Sequence, residues 1–143
     1  MGADGAERVR LGLIGGNIRA SRSPDLHRIC GQMTGLRVSY DLLIPAELGE
    51  DFETVLANCR RSGMRGVNVT YPYKERVTRL VGIPDPRVAR LGAVNTVLFG
   101  RERMEGYNTD YSGFMAAYRT HFGDEPPGAV AIVGSGGVGR AIA

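Results

Sequence analysis

Seventeen arginines and a single lysine, Lys74, carry all the side-chain positive charge of this chain apart from its two histidines. Arginine cannot give up its proton near neutral pH, whereas a perturbed lysine can. Lys74 therefore marks either a place where a titratable amine is wanted or one leftover surface lysine. It ends the run Asn68-Val-Thr70-Tyr-Pro72-Tyr-Lys74, in which Asn68 and Thr70 alternate to one face of an apolar strand and Val67 and Val69 to the other. A helix is predicted from Tyr73 to Val81, so Lys74 would meet the positive end of a helix dipole. That field lowers an amine's pKa toward the range of a general base. Asp110 follows Asn108-Thr109 ahead of another predicted helix. It is either the N-cap of that helix or a carboxylate kept ionised there and able to orient a lysine. Asn95, between Val94 and Thr96, opens a further apolar strand.

Two other segments carry chemistry. Ser21-Arg-Ser23 stands where a strand gives way to a helix, so its hydroxyls and nearby N–H groups suit a carboxylate. In isolation Ser23 is an ordinary N-cap. Gly134, Gly136 and Gly139 fit G-x-G-x-x-G directly after the apolar run Ala129 to Val133. Small residues there let a pyrophosphate approach the backbone; the alternative is a plain turn. His27 and His121 read as surface or packing residues. No metal-ligand spacing, C-x-x-C or nucleophile elbow is present.

These residues need a frame. Val9, Leu11 and Leu13 alternate into Gly15-Gly16 and predict a first strand. Ser23-Pro24 opens a helix with Leu26, Ile29, Cys30 and Met33 as its inward stripe and Gly35 as its stop. Val38 to Ile44 is a second strand, and Asp51 to Ser62 a second helix with Phe52, Val55, Leu56 and Cys59 inward. Gly66 to Thr70 is the third strand. Pro84-Asp85-Pro86 reads as a loop, Val94 to Phe99 with Met104 to Tyr107 as a hairpin, and Asp110 to His121 as a helix. The alternation predicts an α/β fold: a three-layer αβα domain with a mainly parallel sheet over residues 1–109. Residues 110–143 would be a linking helix, a first strand and the glycine loop of a dinucleotide-binding domain.

Composition sets outer bounds. The 143 residues are 43% hydrophobic and carry a net charge of +3, with basic residues scattered. This argues for a packed core and against a nucleic-acid surface. No apolar run approaches membrane-spanning length and the N-terminus lacks the apolar core of a signal peptide, so no membrane partner is expected. Cys30 and Cys59 fall on apolar helix faces and read as reduced, buried thiols of a cytoplasmic protein.

In order, the chain contains GLIGGNIRASRSPDLH, GVNVTYPYKE, GAVNTV, GYNTDYSGF and VGSGGVGRA. This series resembles the shikimate/quinate dehydrogenase family from about Val9 to Ala143. The resemblance implies a substrate domain followed by a Rossmann domain, and NADP- or NAD-linked interconversion of 3-dehydroshikimate and shikimate. By matching positions it implies that Ser21 and Ser23 bind the substrate carboxylate, and that Asn68, Thr70, Asn95 and Asp110 bind ring hydroxyls. Lys74, paired with Asp110, would exchange the hydroxyl proton. Gly134, Ser135, Gly136, Gly137, Val138 and Gly139 would form the cofactor loop. The partner expected is the small-molecule substrate, with a homodimer compatible. GNIRA lacks the proline common in shikimate enzymes, and Tyr73 replaces a common Phe, both leaning toward the family's quinate/shikimate or shikimate-like branches; Ser23 leans back toward shikimate. A non-catalytic binding domain and an unrelated dehydrogenase of the same fold are the alternatives.

Overall fold

Arg8–Ile14 forms strand β1 in a computed structural model that describes residues 6–134 and 136–143. Arg37–Leu43 is β2, Gly66–Val69 is β3, Thr96–Phe99 is β4 and Met104–Tyr107 is β5. They make one sheet in the order β2-β1-β3-β4-β5. β1 lies parallel to both β2 and β3, whereas β4 is antiparallel to β3 and β5 to β4. The sheet is thus mixed, with β4 the one strand that runs against the other four. A parallel neighbour needs a crossover of a dozen or more residues, and the short link between β4 and β5 permits only a hairpin.

Alternation along the strands builds two cores. Ile14, Val67, Val69 and Val97 turn to one face and pack with Phe52, Val55, Leu56 and Cys59 of helix α3, defined below. Leu13, Tyr40, Ile18 and Ile44 make a smaller cluster on the other face. The helices are α1 at Ser23–Met33, α2 at Pro45–Leu48, α3 at Phe52–Arg61, α4 at Pro86–Leu91, α5 at Thr109–Phe122 and α6 at Gly137–Ile142. Asp51 caps α3 through the Thr54 N–H at 2.7 Å, and that bond holds its carboxyl below the ordinary range. α4 begins at Pro86, where the expected loop Pro84-Asp85-Pro86 ends. Asp85 caps it and Pro86 takes its first turn, the same chemistry that starts longer helices. No helix among the described residues is long and apolar enough to cross a membrane.

Four expectations are corrected. Residues 73–81 hold only a 3-10 turn, Arg76–Arg79. The Lys74 carbonyl accepts from the Val94 N–H at 2.8 Å, and the Thr78 N–H turns instead to Glu75 O, so the α-helical ladder cannot propagate. Residues 129–133 form no strand, since no sheet edge is offered to them, and Val130, Ile132 and Val133 are exposed. Ser23 is the first helical residue of α1 and not its cap; its N–H is taken by Ser21 Oγ at 3.2 Å.

The fourth correction concerns the buried face of α1. Leu26, Ile29 and Met33 are 59%, 55% and 81% exposed, and Cys30 is exposed, while Cys59 is buried as expected. α1 approaches β2 through Gly31, where an added Cβ would lie 2.5 Å from Val38 Cγ2. Close approach through a residue without a side chain chose the face. Gly31→Ala pits about 1 kcal/mol of helix propensity against about 1–3 kcal/mol of overpacking. We expect overpacking to win, with a net loss of about 1 kcal/mol read as a lower urea midpoint at unchanged slope.

Candidate active site

The register of the hairpin collects the chemistry at one edge. Asn68 pairs with Thr96, so Asn95 lies beside Val69, whose N–H donates to the Asn95 carbonyl at 2.8 Å. Thr96 pairs with Tyr107, so the chain leaves β5 and enters α5 at that same edge. There the parallel strands β1 and β3 end and feed the loops bearing Ser21 and Lys74. The Gly16 N–H donates to Tyr71 O at 2.9 Å and ties these two loops together.

Lys74 Nζ donates to Asp110 Oδ2 at 2.6 Å, with the two side chains 16% and 30% exposed. Asp110 is free for this because Asn108, not Asp110, caps α5: its Oδ1 accepts from the Tyr111 N–H at 3.0 Å. Lys74 stands in an irregular turn and not in the first turn of an α-helix, so the dipole argument has no helix to rest on. The pairing with Asp110 takes its place in positioning the amine.

Ser21 Oγ and Ser23 Oγ lie 3.1 Å apart. A polar chain runs from them across the sheet edge. Tyr40 Oη donates to Asn68 Oδ1 at 2.7 Å, and Asn68 Nδ2 donates to Thr96 Oγ1 at 3.1 Å. Asn95 Nδ2 donates to Thr109 Oγ1 at 2.8 Å, and Asn95 Oδ1 accepts from the Thr109 N–H at 2.9 Å. Burial pushes the Tyr40 phenol up to about 12, against a smaller opposing bond to Ser23, so it remains a donor at every working pH. His27 stacks on Tyr40 with ring centroids 4.4 Å apart, and its Nδ1 lies 2.9 Å from Ser23 O. It is a packing residue, but one that packs on the site. Tyr40, His27, Thr96, Thr109 and Asn108 were not singled out as site groups. Asn108 alone left a signal, standing at the cap position just before Thr109-Asp110.

Thr70 and Lys74 line a cleft of about 190 Å³ with Tyr71, Pro72, Glu75 and Val138. The glycine segment therefore reaches the lysine. Gly134 has φ +101°, and a Cβ on Gly139 would meet Gly134 O at 2.3 Å, so the loop closes tightly on itself. A Cβ on Gly134 or Gly136 would meet nothing within 4 Å, so the outer side stays open to a phosphate. These features fit a dinucleotide loop. Gly137 opens α6; Ser135 lies outside the described residues.

The sequence profile of the shikimate dehydrogenase substrate binding domain matches residues 13–97. The chain belongs to that family. Among its relatives, a quinate/shikimate dehydrogenase (NAD(+)) of Corynebacterium efficiens is 38% identical, over 96% of this chain and 50% of its own length. A shikimate dehydrogenase (NADP(+)) of Natronomonas pharaonis is 42% identical over 92% and 48%. The solved quinate dehydrogenase of Corynebacterium glutamicum in complex with NAD superposes with a TM-score of 0.86 at 34% identity, covering 95% of this chain and 50% of that one. The chain spans about half the length of the curated relatives it matches. The match runs from the end of β1 through β2 and β3 into β4, and Asp110 lies beyond it.

Tyr40→Phe keeps the ring stacked on His27 and removes the hydroxyl that donates to Asn68 and meets Ser23. We expect a loss of about 1 kcal/mol, measured by urea unfolding, with the far-ultraviolet spectrum unchanged.

Proposed function

We propose that the intact protein carrying this chain is a shikimate dehydrogenase. It reversibly reduces 3-dehydroshikimate to shikimate with NADP or NAD, in aromatic amino acid biosynthesis. The observation that carries this reading is the 2.6 Å contact of Lys74 with Asp110, at the edge where Ser21, Ser23, Asn68, Thr70 and Asn95 gather.

The dinucleotide, when bound, supplies or accepts the hydride; this chain handles the proton and the fit. In the reductive direction the Lys74 ammonium donates a proton to the carbonyl oxygen as it becomes a hydroxyl. In the oxidative direction the neutral amine takes that proton back. Asp110 holds the amine in line and accepts from a ring hydroxyl. Ser21 and Ser23 hold the carboxylate, and Asn68, Thr70 and Asn95 hold ring hydroxyls, their amides aimed by Tyr40, Thr96 and Thr109. Gly134, Ser135, Gly136, Gly137, Val138 and Gly139 form the loop for the pyrophosphate. We divide the chain at 109/110. The division is supported by α5, none of whose residues is fully buried and which contacts α6. The free cysteines support a reducing cytoplasm, and the substrate is taken by a single copy or a homodimer.

A second reading, quinate/shikimate dehydrogenase with NAD, is favoured by the Corynebacterium relatives. Spectrophotometric assay of the intact protein with shikimate and with quinate, each with NADP and NAD, decides between the two. Reduction of neither dinucleotide by either acid overturns both. Lys74→Arg keeps the charge and abolishes the titratable amine; we expect kcat to fall about 10²-fold or more with little change in substrate KM. Ser21→Ala and Ser23→Ala each remove a hydrogen bond to a charged group, worth about 1.5–3 kcal/mol. They should raise substrate KM about tenfold or more and leave kcat the less affected.

A further inference from the structure

Asn108 is 3% exposed, and both ends of its amide are used. Its Oδ1 accepts from the Tyr111 N–H at 3.0 Å, which caps the helix bearing Asp110. Its Nδ2 donates to the Ala93 carbonyl at 2.9 Å. The other side of that same peptide unit, the Val94 N–H, donates to the Lys74 carbonyl at 2.8 Å. Ala93 and Val94 are fully buried, so the peptide between them has no freedom to shift. One rigid peptide thus spans the backbone of Lys74 and the cap of the Asp110 helix.

We infer that Asn108 is the positioning residue of the Lys74–Asp110 pair, acting through the Ala93–Val94 peptide. The inference rests on the dehydrogenase reading above. An N-cap alone would not require asparagine, because serine and aspartate cap as well. What they lack is the second arm, a side-chain N–H that reaches Ala93 O. Without it α5 keeps its cap and loses its tie to the lysine strut. Proton transfer depends steeply on donor–acceptor placement, so a small displacement of Asp110 would lower turnover more than it weakens substrate binding.

The test uses the intact protein. Its wild-type activity decides the dehydrogenase reading on its own; the variants decide the role of Asn108. In Asn108→Ser, which keeps the cap acceptor, kcat should fall about tenfold or more while substrate and dinucleotide KM stay within about threefold. Asn108→Asp keeps size and cap and carries the same expectation should the serine variant fail to fold. In an Asp110→Asn background, Asn108→Ser should cause no further fall, because the pair it aligns is already broken. A variant with wild-type kcat would overturn the inference. So would an equal fall in both backgrounds, which marks a merely structural residue.

Discussion

The Lys74 carbonyl takes its hydrogen bond from Val94 and not from the turn that follows it. A backbone carbonyl in a helix would be satisfied four residues on; here it is satisfied across the sheet edge. This stops an α-helix from forming after Lys74 and pins the lysine's backbone to the segment that leads into β4. Because β4 runs antiparallel to β3, that segment lies at the carboxyl edge of β1 and β3. The hairpin then returns the chain to the same edge at Asn108. One hydrogen bond and one register bring residues 36 positions apart to 2.6 Å.

Around this pair the pocket is lined with polar groups that already have partners. Among the described residues no buried side-chain nitrogen or oxygen lacks a hydrogen bond. A satisfied network in a partly desolvated site fixes amide orientation, and a half-satisfied one would be costly. Asn68 is held by Tyr40 and Thr96, and Asn95 by Thr109. A ligand therefore meets groups whose directions are already set, which reduces the ordering cost of binding.

The elements and site residues were legible to different degrees, for reasons that can be named. α3 and its buried face followed from the apolar stripe of Phe52, Val55, Leu56 and Cys59, because that stripe faces the larger core. The same rule misassigned α1. Periodicity locates an apolar face without saying what covers it, and Gly31, invisible to a hydrophobic pattern, made the close contact with β2. The apolar run 129–133 reads as a strand only if a sheet edge awaits it. Lys74, Asp110, Asn95, Asn68 and the Ser pair were legible because strand ends and helix starts are where open α/β sheets place polar groups. Tyr40 and His27 were not, since a helix residue and a strand residue facing each other share no spacing rule.

The hold on Asp110 differs in kind from the hold on Lys74. Lys74 sits on a loop tied to β1 through Gly16 and to β4 through Val94. Asp110 sits on a helix with no fully buried residue, in which Tyr111 packs against the larger core. The placement of α5 therefore rests on its first turn. Asn95 accepts from the Thr109 N–H, Asn108 accepts from Tyr111, and Arg87 lies 5.5 Å over the Tyr111 ring. All three contacts come from within three residues of Asp110. A lever held only at one end transmits its angle to whatever its far end carries, and α6 packs against α5. The contacts that aim Asp110 at Lys74 are consequently the same ones that set the direction in which the chain leaves toward α6. The placements of Asp110 and of α6 are thus coupled through one helix N-terminus.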